Sequence, residues 1–143
     1  MIIKLLGTIV AIIAGVIGFV LGVLSYRRTK LSAITEFYLR GDSEEIIESK
    51  SYVFEKGRKG EPINVYDHIA SKLASHYEFW GKMVHQGYLP LKTFDGAAGI
   101  TMIKAYTILL PMIEERRFLQ NSHYAKEFLW MKGRVERKYK FTI

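Results

Sequence analysis

Hydrophobic and polar positions alternate along this chain with a helical period, except at its start, where they do not alternate at all. Leu5 to Leu24 form a run of 20 residues without a charged side chain. As a helix this run extends about 30 Å, the hydrocarbon thickness of a bilayer. A cleaved signal peptide has a shorter apolar core of about 7 to 15 residues, and here Arg27, Arg28 and Lys30 follow at once, so the run reads as an uncleaved single-pass anchor. Beyond it Leu31, Ile34 and Tyr38, with Phe37 beside them, keep helical spacing up to Gly41, which predicts that the anchor helix continues past the membrane. The expected division is therefore 1–25 transmembrane anchor, 26–41 juxtamembrane helix and 42–143 helical domain.

The domain reads as a succession of amphipathic helices. Asp42 with Glu45 has the spacing of a capping box, and Ile46, Ile47, Val53 and Phe54 mark the inner face of a first short helix. Pro62 suits the first turn of a long helix along which Tyr66, Ile69, Leu73, Tyr77, Trp80 and Val84 step by three and four as far as Gly87. Leu91 to Leu119 is apolar on several sides, as expected of a central helix, with Gly96, Gly99 and Pro111 as points of bending or breaking. Its centre carries Lys104, which argues against a second span from Ala97 to Ile113. A last helix, Ser122 to Tyr139, turns Tyr124, Phe128, Met131 and Val135 inward. No segment alternates with period two. The predicted fold class is all-α, a single N-terminal transmembrane helix followed by a small bundle of about four helices.

Composition sharpens this picture. Of 143 residues 49% are hydrophobic, and once the front run is set aside the remainder suits a small globular domain. Cysteine is absent, which excludes disulfides, thiolate metal sites and cysteine nucleophiles. Lys and Arg number 21 against 14 Asp and Glu, a net charge of +7 that suits an anionic lipid surface better than nucleic acid. Arg27, Arg28, Lys30 and Arg40 outnumber Lys4 across the apolar run, so the positive-inside rule puts the C-terminal domain in the cytoplasm, on the inner face of the plasma membrane. Arg27, Arg28 and Lys30, with Lys132, Arg134, Arg137 and Lys138 on the last helix, are the candidates for contact with anionic lipid.

Within the anchor Gly7, Ala11, Gly15, Gly18 and Gly22 fall on one face, a small-residue ridge of the kind that lets two membrane helices approach closely. A homo-oligomer is therefore expected, as is a protein partner of unspecified identity. Catalytic and metal sites are not expected. His68, His76, His85 and His123 lack the i, i+4 pairing of a helical metal site, the basic stretch from Lys56 to Pro62 lacks the context of a phosphate loop, and no nucleophile motif is present. No cofactor is implied. The one internal ion pair expected joins Glu78, on a helix otherwise committed to burial, to Arg116 or Arg117.

The stretches Tyr77 to Leu89, Leu109 to Arg117 and Tyr124 to Met131 resemble a family of small bacterial and phage-borne proteins that join an N-terminal membrane helix to a helical domain of unknown function. Glu78, Gly87, Tyr88, Leu89, Pro111, Arg116, Arg117, Phe128 and Leu129 carry the resemblance. It implies the architecture and a bacterial or phage setting, and no activity. The function expected is that of a membrane-tethered interaction or regulatory module, with a role in conflict between bacteria and phage as one setting. The alternative is a membrane-disrupting effector that oligomerises through its transmembrane helix.

Overall fold

The computed structural model describes residues 2–141, with side chains from Gly7 onward. The side chains of residues 2–6, Lys4 and Leu5 among them, lie outside the described residues, as do Met1, Thr142 and Ile143. Five α-helices and one short 3-10 turn make up the architecture: α1 (Ile2–Gly41), α2 (Glu44–Lys59), α3 (His68–His85), the turn Leu91–Phe94, α4 (Ala97–Leu119) and α5 (Lys126–Tyr139). No strand occurs among the described residues.

Helix α1 has 40 residues and no break between its apolar and polar parts. It is long and apolar enough to cross a membrane. From Gly7 to Thr29 every side chain is exposed, whereas Ala33 and Ile34 are half-buried and Phe37 is buried. The bundle thus contains five helices and not about four, because the far end of α1 supplies one of them. Phe37 is the one large side chain of that end to be buried. Leu31 and Tyr38, whose spacing predicted the continued helix, remain 66% and 53% exposed, because helical spacing identifies a face and not the partner that will cover it.

The core gathers Phe37, Ile46, Val53, Leu73, Tyr77, Trp80, Phe94, Met102, Leu109, Phe128 and Met131 with their neighbours. Helix α4 runs through its centre, with Lys104 exposed. Its apolar character serves the bundle interior, and Pro111 is accommodated within the helix.

Element boundaries depart from the apolar spacing where backbone hydrogen bonding outweighs it. Helix α3 begins at His68, because Asp67 accepts the Ala70 N–H at 2.8 Å as its cap. Pro62 and Tyr66 therefore sit in the connection that precedes it. Asp42 and Glu45 form no capping box: Ser43 is the residue before α2, and its hydroxyl donates backward to the Arg40 carbonyl at 2.7 Å. The stretch expected as one helix from Leu91 is divided at Gly96, whose φ of 78° is left-handed backbone that glycine adopts freely. Helix α5 starts after Ala125, later than the apolar spacing from Ser122 predicts.

Two glycines allow the helices to approach. A Cβ on Gly81 would stand 2.5 Å from the Glu127 carbonyl oxygen, where α3 meets the start of α5, and one on Gly99 would overlap the Phe94 carbonyl oxygen. In both cases the obstacle is backbone, which cannot swing aside. Gly133 has only the flexible end of Arg137 within 4 Å. Gly81→Ala and Gly99→Ala are each expected to destabilise the full chain in detergent by about 1 to 3 kcal/mol. Gly133→Ala should stabilise it by up to about 1 kcal/mol through helix propensity alone. Urea unfolding of the three variants checks this contrast in sign.

Candidate functional site

Where α1 ends, α2 begins and α3 passes beneath them, a groove of about 630 Å³ opens to solvent. Arg40, Ser43, Glu45, His68, Ser71, Lys72, Ser75 and His76 supply its polar wall, with Phe79 and Trp80 as its apolar floor. Helical spacing aligns the α3 contribution: positions 68, 72, 75 and 79 step by four, three and four along one face. This polar stripe is visible in the sequence, but only the return of the chain through Gly41 and Ser43 makes it the wall of a groove.

Charge in the groove is largely paired. Lys72 Nζ meets Glu45 Oε1 at 2.6 Å, which holds the Glu45 carboxyl below its ordinary range. Arg40 donates to Glu36 at 2.8 Å and lies 5.2 Å from the Phe79 ring centre. Two hydroxyls are committed to backbone: Ser43 Oγ donates to the Arg40 carbonyl and Ser71 Oγ to the Asp67 carbonyl. The groove offers a shaped polar surface with an aromatic floor. Among the described residues no three His, Asp or Glu side chains converge as metal ligands.

His76 is strongly perturbed. Burial, reinforced by the positive charges of Lys50 and Arg40, pushes its pKa down to about 4. Its ring packs edge-on against Tyr77 at 5.2 Å and Trp80 at 6.4 Å. Lys50 is itself held below the ordinary lysine value by burial, against the opposing pull of Asp42, and donates to the Gly41 carbonyl at 3.1 Å. The end of α1 is thus fastened to α2 through a half-buried lysine.

The residues singled out in the sequence lie in three places. A Cβ added at Gly7, Gly15, Gly18 or Gly22 would meet nothing within 4 Å, and Ala11 is exposed beside them, so the ridge is an open face of α1. Arg27 and Arg28 are exposed just past the apolar run, and Lys30 lies 4.4 Å from the Tyr26 ring centre. On α5, Lys132 pairs with Glu136 at 3.0 Å, Arg134 lies over Trp130, and Arg137 and Lys138 belong to its last turn. No ion pair or hydrogen bond joins the two basic sets among the described residues.

Glu78, Arg116 and Arg117 come to one turn without pairing with each other. Glu78 Oε2 accepts the Phe128 N–H at 2.8 Å. Arg116 donates to the Tyr124 hydroxyl at 3.0 Å and to the Val65 carbonyl. Arg117 donates to the Tyr124 carbonyl at 2.7 Å and the Ala125 carbonyl at 3.2 Å. In place of the expected ion pair, Glu78 and Arg117 hold the backbone entering α5, where Ala125 has a left-handed φ of 54°, while Arg116 ties the Tyr124 hydroxyl to the Val65 carbonyl. That non-glycine conformation is costly by itself, and hydrogen bonds on either side hold it. The sequence points to the three residues, but not to the free backbone groups of the turn, which compete for them.

The class that this geometry defines is an all-helical domain with a polar groove, on a helix long and apolar enough to cross a membrane. Residues 1–135 match the family model DUF4760, a domain of unknown function, and the chain belongs to that family. No curated protein and no solved structure matches it.

The depressed His76 value fixes a pH dependence. Above the unfolded value of 6.5 neither state binds the proton; as pH falls from 6.5 the unfolded chain takes it first, so stability declines until about pH 4. The full chain should lose up to about 3 kcal/mol over that window relative to His76→Gln, measured by urea unfolding at a series of pH values.

Proposed function

We propose that this chain is a membrane-tethered module that acts by binding, with its helical domain on the cytoplasmic face of the plasma membrane. The observation that carries this reading is the division of labour within α1: side chains from Gly7 to Thr29 stand wholly outside the bundle, whereas Phe37, on the same unbroken helix, is buried within it. An exposed apolar stretch of that length has no stable place in water and is satisfied by lipid. The cations Arg27, Arg28, Lys30 and Arg40 follow the stretch and favour the cytoplasmic side for the domain.

The open ridge of Gly7, Ala11, Gly15, Gly18 and Gly22 supports self-association in the membrane, since small side chains let two backbones come close where lipid removes the hydrophobic drive. The polar groove at the head of the bundle then presents a surface to a protein partner. Its paired charges, with the Ser43 and Ser71 hydroxyls committed to backbone, favour recognition over chemistry, and the reading assigns no reaction and no cofactor.

A reporter fused after Ile143 tests the arrangement. In a bacterial host a fluorescent protein there should be bright and alkaline phosphatase silent, and expression should leave a potential-sensitive dye unchanged. Active phosphatase would contradict the orientation, and depolarisation would favour a membrane-disrupting effector.

A further inference from the structure

Helix α3 runs back along α1 toward the apolar stretch. Its first residue, His68, lies in the groove with Arg40 and Ser43, whereas Met83 and Tyr88, at and beyond its other end, line a cleft of about 360 Å³ with Ser25, Arg28, Thr29 and Ser32. Ser25 is the residue immediately after the charge-free run. From Ser25 to Ser32 the helix rises about 10 Å, and the headgroup layer on each side of a bilayer is about 5 to 8 Å deep. Tyr88 therefore stands at the level of the headgroups if α1 spans the membrane.

The turn that carries Tyr88 is firmly built. Gly87 takes a left-handed φ of 79°, the Tyr88 and Leu89 N–H groups both donate to the Met83 carbonyl at 2.9 and 3.1 Å, and Leu89 is buried. Tyr88 itself remains 46% exposed. An aromatic ring with a polar tip, held at this depth, is the side chain that favours a membrane interface. Opposite it Arg28 offers a forked cationic donor, the group best suited to a phosphate. Glu36, the acidic residue of the cleft, is neutralised by Arg40 at 2.6 Å.

We propose that the cleft between Tyr88 and the Ser25–Ser32 stretch of α1 seats the headgroup of an anionic phospholipid, making the turn after α3 a second contact of the domain with the membrane. The occupant is lipid because the cleft is continuous with the exposed apolar face of α1 and its free charge is positive. The proposal rests on the reading of α1 as a membrane span, and the following experiment separates failure of one from failure of the other.

The chain has no cysteine, so a single introduced cysteine takes a fluorophore uniquely. Full-length Gln86→Cys, Ser122→Cys and Val20→Cys are labelled and placed in vesicles containing equal small fractions of nitroxide-labelled phosphatidylglycerol or phosphatidylcholine. The label at 86 should be quenched at least twofold more by the anionic lipid, Arg28→Gln should bring that ratio to one, and the label at 122 should be unaffected by either lipid. Equal quenching at 86 by both lipids, or none while the label at 20 is quenched, overturns the proposal and leaves the span intact. Absence of quenching at 20 overturns the span and the proposal together.

Discussion

The buried contact of Phe37 joins the two halves of this protein. Its ring meets Trp80 edge-on at 5.2 Å and Phe94 edge-on at 5.1 Å, so one side chain ties α1 to α3 and to the turn before α4. Edge-to-face aromatic pairs of this kind contribute about 0.5 to 1.5 kcal/mol each beyond the area they bury. Because Phe37 lies on the helix that carries the apolar run, about 20 Å beyond Leu24, fixing it fixes the bundle relative to the apolar stretch. Ala33 and Ile34 add to the same face, and Lys50 closes the end of the helix by donating to the Gly41 carbonyl.

Most of what surrounds that contact follows from it. With α1 held, α2 must leave through Gly41 and Ser43, and α3 returns alongside with its polar stripe facing the junction. The groove is the consequence, as is the position of Tyr88 beside Ser25. The start of α5 is held differently: Glu78 and Arg117 grip the backbone around Ala125, and Arg116 ties the Tyr124 hydroxyl to the Val65 carbonyl ahead of α3. Core burial positions α1, and charge-assisted hydrogen bonds to backbone position the start of α5.

The elements that can be read from the amino-acid order are those decided locally. The limits of the charge-free run, the stop at Gly41, and the inward positions Leu73, Tyr77, Trp80, Phe128, Met131 and Val135 all depend on spacing within one segment. What cannot be read depends on partners distant in the chain. Phe37 is buried and Tyr38 exposed because Trp80 and Phe94 lie on one side of α1, and nothing within residues 31–41 encodes that. Glu78 lies on α3, and the N–H that it accepts belongs to Phe128; an ion pair is the simplest partner for a lone carboxylate, but an unpaired amide at the start of α5 is the nearer one. The groove residues are individually visible, yet His68 and His76 acquire a shared wall only when Arg40, Ser43 and Glu45 are folded over them.

A single continuous helix both carries the apolar run and enters the bundle. Amide hydrogen exchange of the full chain in lipid nanodiscs, followed over Ser25 to Gly41, tests it most directly. The structure predicts unbroken protection across this stretch, with amides near Phe37 exchanging as slowly as those of α3 around Trp80, and a marked loss of that protection in Phe37→Ala. Rapid exchange between Ser25 and Gly41 in the parent chain, indicating a hinge between membrane and domain, would contradict it.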